Sequence, residues 1–481
     1  METEILVIGA GVAGLTAVRA LAEAGRAVLV IEARNRLGGR IFTVNGNTGN
    51  GNAGNGSAGN GSAQPEGSAG PVELGAEFVH GKPEELWAVI REAGFSSYEL
   101  DGGELCRSED GRLEPCESEL EESFDWLEQL KPERLKNEQP KGWTGEDCTF
   151  AEYVERAQVP EAERARLIGY VEGFNAADHR VISAAALGRQ QQAEDEIEGD
   201  RLFHIRGGYR QLPKFLAGRV WAAGGHILLE HRVTRIAWRQ GSAAVDCESP
   251  SGPARITARK VVVTLPLGVL QADAVQWSPE PSAILQAASR MRMGVAQRAV
   301  LEFRESPIDE LLAQTSVEAG RASRAETDAD AEDAALELRS FGFLFAFGKL
   351  PPVWWTQYPH RSAMLTGWIG GPRAQAWRGK PQSEIQQEAL ETLAGIIGAE
   401  PGALAEKLVG CHTHDWSEDP YALGAYSYVA SGGLGASEAM CEPQQQTLFF
   451  AGEHTDTTGH WGTVHGAMRS GLRVAEQVLA S

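Results

Sequence analysis

Three glycines near the start of the chain, Gly9, Gly11 and Gly14, have the spacing G-x-G-x-x-G, and Glu32 follows eighteen residues after the last. Such residues bind a dinucleotide. The first glycine allows a tight turn, the second lets the backbone approach a pyrophosphate, and the third lets a helix pack closely on a strand. N–H groups at the helix start, around Ala13, then face the phosphates. An acid about twenty residues on accepts hydrogen bonds from ribose hydroxyls, the position Glu32 holds. Just beyond it, Arg34-Asn-Arg-Leu-Gly38-Gly39-Arg40 adds planar guanidinium forks suited to pyrophosphate oxygens. Near the other end, the apolar run Thr447 to Phe450 leads into Ala451-Gly452-Glu453, and Thr463-Val464-His465-Gly466-Ala467 opens a helical pattern to about Leu479. His412 and His414 flank Thr413; no third ligand stands at a metal spacing, so they are read as alternate strand positions and no metal is expected.

The elements around these residues follow from hydrophobic patterning. Glu4 to Ile8 reads as a buried strand, Leu15 to Ala24 as a helix stopped by Gly25, and Ala27 to Ile31 as a second strand. That is the front half of a Rossmann unit. Residues 45–70 are low-complexity Gly, Asn, Ser and Ala, expected as a flexible surface loop. Helical patterns run over 83–93, with Pro83 in the first turn, and through 118–170. Strands fill 226–263 and end at Pro266. An acidic clump lies at 194–200, and a second acidic stretch, 305–337, reads as a solvated helical insertion or mobile lid. Aromatics then crowd together: Phe341, Phe343, Phe345, Phe347, Trp354, Trp355, Tyr358 and Trp368. The alternation from Phe341 to Phe347 predicts a strand with one ring-bearing face, and so dense a block can wall a pocket as well as fill a core.

A length of 481 residues allows two or three domains. Against 66 Asp and Glu stand 44 Lys and Arg, a net charge of −22. That surface repels phosphate backbones and anionic lipid heads, so no nucleic acid and no membrane partner is expected. Six scattered cysteines argue against a disulfide scaffold and for a reducing compartment. The apolar run from Ile5 to Val18 is 14 residues long, too short to span a bilayer, and it follows acidic rather than basic residues. A cytoplasmic location is expected.

The R-x-x-x-G-G-R segment and the Glu453 region resemble the flavin amine oxidases and their relatives, the carotenoid desaturases and protoporphyrinogen oxidases. Three further segments narrow the resemblance: Glu73-Leu-Gly-Ala-Glu-Phe-Val-His80-Gly81, Val261 to Val269, and the chain from Tyr421 onward. Gly424-Ala-Tyr-Ser-Tyr-Val429, Phe450-Ala-Gly-Glu-His-Thr455 and Thr463-Val-His-Gly-Ala467 are similar to lysine-specific histone demethylases and plant polyamine oxidases. The resemblance covers nearly the whole chain outside 45–70 and the acidic insertion. It implies an α/β fold in which a Rossmann-like FAD domain (1–80, 201–275, 411–481) is interwoven with an α+β substrate domain (81–200, 276–410).

It also implies roles. Tyr426 matches one tyrosine of the family's aromatic cage, Trp416 an aromatic near the flavin, and Thr463 the second cage position. Ala76, Glu77 and Phe78 match residues alongside the flavin ring, Val233 a backbone contact to adenine, and Glu453 the acid bonded to the ribityl chain. Val464 opens the helix at the flavin's pyrimidine edge, and His80 matches a polyamine oxidase pocket position. The chemistry implied is hydride transfer from the α-carbon of a neutral amine to flavin N5, imine hydrolysis, and reoxidation by O2 or another acceptor. The flavin carries the hard step. Two departures stand out. Ala425 replaces the cysteine through which monoamine oxidases attach FAD, so FAD should be non-covalent. Arg298, in Gly294-Val-Ala-Gln-Arg298-Ala-Val-Leu-Glu-Phe303, replaces the family's lysine near N5, and an arginine is bulkier and never neutral. A desaturase-type oxidase, an amino acid oxidase and a non-catalytic flavoprotein stay open as alternatives.

Overall fold

The N-terminal strand, glycine turn, helix and strand form as Glu2–Ile8 (β1), Val12–Glu23 (α1) and Val28–Ile31 (β2). The computed structural model describes residues 1–46, 70–107, 113–115, 124–138, 140–307, 341–360 and 362–481. β1 pairs in parallel with β2 on one side and with strand Gly252–Val263 on the other, so Ile5 to Val7 have no exposure. A strand covered on both faces needs such an unbroken apolar run. His226–Leu228 extends the sheet beyond β2, and Leu448–Phe450, from the far end of the chain, pairs in parallel with Val261–Val263. The first half of the long Gly252–Val263 strand instead pairs antiparallel with Ser242–Ser249, then Arg232–Arg239, with Gln276–Ser278 at the edge. α1, Gln211–Ala222 and the final helix Val464–Leu479 cover one face, packing Leu15, Leu216 and Val474 into a single core.

The second sheet has seven strands in the order Leu408–His412, Ala296–Phe303, Met364–Gly370, Val353–Trp355, Phe341–Phe345, Gly103–Arg107 and Leu113–Pro115. Helix Gln382–Ile397 packs on it, and helices Phe150–Ala157, Glu161–Asn175 and Ala184–Asp195 form a third cluster with Tyr428. Leu408–His412 crosses the boundary expected at 410, because Cys411 belongs to the core of this second sheet.

Several local readings change. α1 starts at Val12, three residues early, because Gly11 is its N-cap. The 118–170 helical pattern breaks into Pro132–Asn137, Phe150–Ala157 and Glu161–Asn175, the last entered through Pro160. Most of the low-complexity segment (47–69) and of the acidic stretch (308–340) lies outside the described residues. The four phenylalanines do not share one face. A bulge between Phe341 and Phe343 turns Phe341 into the core, and only Phe343, Phe345 and Phe347 form a ladder, with stacked neighbours 6.4 and 6.1 Å apart. Cys148, Cys247, Cys411 and Cys441 are free, but Cys106 is disulfide-bonded, which cysteine spacing did not suggest. Among the described residues, no helix is long and apolar enough to cross a membrane.

Candidate active site

One cavity of about 1060 Å³ runs between the two sheets, from the glycine turn to the aromatic block. Every site residue named from the sequence lines it except Gly14. At its glycine end the backbone makes the shape. Gly9 has φ +109°, and a Cβ there would lie 2.4 Å from Thr264 Oγ1; one on Gly14 would lie 2.1 Å from the Gly9 carbonyl oxygen. Gly14 is therefore the contact between helix and strand. A Cβ on Gly11 would meet nothing within 4 Å and would project into open space. The start of α1 has no side-chain cap, so its first N–H groups have no partner from a capping residue. Glu32, buried, accepts from the Ala10 and Arg34 N–H groups at 2.8 and 2.9 Å and presents its carboxylate to the cavity. An open cradle at Gly11, an uncapped helix start and a buried acid fit the pyrophosphate and ribose of FAD. Val233 lines the same end.

The arginines divide their work. Arg34 forks with Asp419 through two bonds of 2.8 Å, so that its guanidinium is spent on protein rather than held for phosphate. Burial works against ionising Asp419, but bonds from His414, Arg34 and the Tyr421 N–H hold its carboxyl well below the usual range. Arg40 bonds Glu453 at 2.8 Å and the Ala425 carbonyl at 3.0 Å. Glu453 also accepts from Ser427 at 2.5 Å and from the Gly462 N–H at 3.0 Å. Burial opposes its ionisation, yet Arg40 and these bonds keep its pKa below the ordinary value. Thr463 caps the final helix, accepting from the Gly466 N–H at 3.0 Å, so the positive end of that helix points at the cavity beside Val464. No cysteine is among the lining residues, and Ala425 is.

At the aromatic end, side chains make the shape. Arg298 lies between the indoles of Trp355 and Trp368, its guanidinium carbon 5.3 and 5.4 Å from their centroids. Its Nη1 donates to the Glu73 carbonyl at 2.7 Å and stands 2.9 Å from Glu77 Oε2, an ion pair without an aligned hydrogen bond. Trp355 Nε1 donates to Glu77 Oε1 at 3.1 Å. Tyr426 donates its hydroxyl proton to the Phe174 carbonyl at 2.5 Å, over Gly462, where a Cβ would come within 2.9 Å of the ring. Trp416 donates to the Leu74 carbonyl at 2.8 Å. Phe78 lies beside His80, Trp355 and Phe343. His80 is held neutral because burial lowers its pKa to about 4.

Sequence patterning missed several residues. Trp355, Trp368, Phe343, Phe345 and Phe347 face the cavity, whereas Phe341 and Trp354 are core, a division that needs the sheet register. Tyr170 and Phe174 carried no signal in the helical pattern, and Glu194 belongs to an acidic clump whose charge alone says solvent face. His412 and His414 go separately to Glu302 and Asp419. Among the described residues one group has ligand atoms within 4.8 Å of each other, Glu172, Asp178 and His179. Its members are already satisfied, His179 by Glu172 at 2.6 Å and Asp178 by Arg180.

A dinucleotide cradle opening into an aromatic chamber fits a flavin cofactor. The chain belongs to the flavin containing amine oxidoreductase family, which matches residues 12–479. It is 28% identical to lysine-specific histone demethylase 1 homolog 3 of Arabidopsis thaliana, covering 99% of this chain and 30% of that protein. It is 26% identical to polyamine oxidase 1 of Oryza sativa subsp. japonica, over 99% of this chain and 97% of that one. The chain thus spans less than a third of the demethylase homologue's length. Solved structures with the same fold include a putrescine oxidase bound to putrescine (TM-score 0.73, 18% identity, 100% of both chains). A cyclohexylamine oxidase from Brevibacterium oxydans IH-35A also matches (TM-score 0.72, 20% identity, 100% of this chain and 99% of that one).

Proposed function

We propose that this protein is an FAD-dependent amine oxidase acting on a primary or secondary amine, with polyamines among its candidates, and that its FAD is bound non-covalently. The observation that carries the reading is the single cavity in which the Gly11 cradle and the Tyr426, His80 and Arg298 chamber meet. When bound, FAD supplies the two-electron acceptor for a hydride from the amine α-carbon and passes the electrons to O2, giving H2O2, or to another acceptor.

The chain's own residues supply the setting. An apolar, ring-lined chamber disfavours the ammonium form and so keeps the reacting amine neutral. His80 adds no charge to oppose it. Tyr426, pinned to Phe174, and Trp416, pinned to Leu74, hold fixed ring planes against which an α-carbon can be oriented. Arg298 is locked by Glu73, Glu77 and two indoles, and with Nη1 turned to protein it is poorly placed to grip a substrate carboxylate. That favours an amine over an amino acid. A cytoplasmic setting belongs to the same reading; four described cysteines are free thiols, and Cys106, which is disulfide-bonded, counts against it.

The test is anaerobic mixing of the yellow holoprotein with polyamines, monoamines, amino acids and an N-methylated lysine peptide, followed at the flavin absorbance band. Bleaching by one amine class is expected, with the aldehyde product recovered. Flavin that stays oxidised with every amine would overturn the reading.

A further inference from the structure

A line of buried polar groups runs from Arg298 into the wall behind the aromatic chamber. Glu77, Arg298 and His204 are only 7, 6 and 6% exposed. Arg298 Nη1 stands 2.9 Å from Glu77 Oε2. His204 Nε2 stands 3.5 Å from Glu77 Oε1, the oxygen that also accepts from Trp355. On its other side the His204 ring meets the Tyr98 hydroxyl, with Nδ1 3.0 Å from the oxygen. Glu77 and Arg298 line the cavity; His204 and Tyr98 are not among the described lining residues.

The line has a direction. Burial lowers the His204 pKa, with Arg298 and His360 acting in the same sense and Glu77 against, so the ring is neutral and carries one N–H. A bare Nε2 lone pair would be repelled by the Glu77 carboxylate, so the proton belongs on Nε2 and Tyr98 donates to Nδ1. Tyr98 is held for this: it lies opposite His204 in the antiparallel pair of Ser97–Glu99 with Leu202–Ile205, with Arg206 4.9 Å over its ring. Glu77 thus faces three donors, a guanidinium, an indole N–H and an imidazole N–H. The donors of Arg298 are not all used, for its Nε is buried without a partner. A planar guanidinium with an idle donor, set between two indoles in a ligand cavity, is a seat for a carboxylate, and Glu77 occupies it.

Resting on the amine oxidase reading, we propose that Glu77 is a specificity-determining residue, a built-in carboxylate that fills the anion seat of Arg298 and excludes ligands bringing a carboxylate of their own. His204 and Tyr98 are positioning residues that hold Glu77 in that seat. A second carboxylate entering the chamber would meet the charge of Glu77 at the same guanidinium. At low dielectric that repulsion outweighs the attraction of one shared cation. Removing the Glu77 charge alone leaves Arg298 buried and unpaired, a state that an incoming carboxylate relieves.

The experiment is calorimetric titration of the oxidised holoprotein at pH 7 with hexanoate, a carboxylate that carries no amine and so gives no turnover. The parent should bind hexanoate weakly, and Glu77→Gln should bind it at least about tenfold more tightly, the size of one charge-assisted pair. The double variant Glu77→Gln/Arg298→Gln, in which neither charge is left, should lose that gain. A merely structural role for Glu77 would produce no gain that depends on Arg298. Tyr98→Phe keeps the ion pair and loosens only its support, so it should gain about twofold to threefold, and it decides the matter where Glu77→Gln does not fold. Tight binding by the parent, no gain in Glu77→Gln, or a gain that survives in the double variant would each overturn the proposal. No gain in Tyr98→Phe would overturn the part given to Tyr98 and His204. Failure of the oxidase reading would show separately, as flavin that no amine bleaches.

Discussion

The two ends of the cavity are built from different materials. At the glycine end the shape is made by backbone: Gly9, Gly11 and Gly14 are defined by what a Cβ would strike or leave open, and α1 offers its own N–H groups. At the aromatic end the shape is made by side chains drawn from distant segments: Glu77, Phe174, Glu194, Arg298, Trp355, Trp368 and Tyr426. Backbone geometry within one strand–turn–helix leaves its requirements at fixed spacing in the sequence. A chamber assembled across two sheets and two helices leaves none, because contact there depends on register and packing.

That difference breaks cleanly within the glycine motif. Gly14→Ala should have the largest effect, since a methyl 2.1 Å from the Gly9 oxygen forces helix and strand apart; soluble, flavin-bearing protein should be lost. Gly11→Ala, by contrast, should leave the melting temperature of the apoprotein near the parent value while weakening FAD binding, measured by fluorescence titration. Equal melting losses in both variants would show that the two glycines do not have separate roles.

Glu453→Gln probes the seam between the two ends. Gln keeps bonds to Ser427 and Gly462 but leaves Arg40 without its charge partner, so about 1–3 kcal/mol of stability should be lost, less than for a fully buried pair because Arg40 is partly exposed. Denaturant melts of the apoprotein would measure it.

A smaller effect is carried by pH. Burial pushes Glu73 as well as Glu194 to about 7. A carboxyl whose folded pKa is raised gives stability that is complete below its unfolded value and lost as pH rises through the folded one. Melting temperature should therefore fall between pH 5 and 8, and Glu194→Gln should flatten that fall by about 1–2 kcal/mol. A slope unchanged in the variant would remove Glu194 from the set of raised carboxyls.

The mildest test concerns Arg298, where this chain departs from the family's lysine. The guanidinium is clamped by Glu77, Trp355 and Trp368, at the position where the sequence resemblance leads one to expect a lysine. Arg298→Lys should speed reoxidation of the reduced protein in air by about tenfold, equivalent to roughly 1.4 kcal/mol in the barrier. No gain in the oxidative half-reaction would separate Arg298 from oxygen reactivity.

Legibility in the sequence follows the same line. The glycine turn and Glu32 follow from a local spacing whose geometry is forced, whereas the Glu453 segment is singled out only through its resemblance to the flavin amine oxidases. Arg34 was readable as a guanidinium near the turn, but not as the partner of Asp419, which lies 385 residues away. The aromatic block was visible as a block; which rings face the cavity is set by the bulge after Phe341. Glu194 looked like surface charge, and only the packing of Ala184–Asp195 against the cavity turns it inward.

The central claim is that an amine bound against Tyr426 gives up its α-hydrogen within this cavity. An anaerobic single turnover with 1,8-diaminooctane, normal and dideuterated at both α-carbons, tests it most directly through the rate of flavin bleaching. Bleaching that is clearly slower with the deuterated amine is the predicted result. No bleaching, or bleaching at the same rate with both, would contradict it.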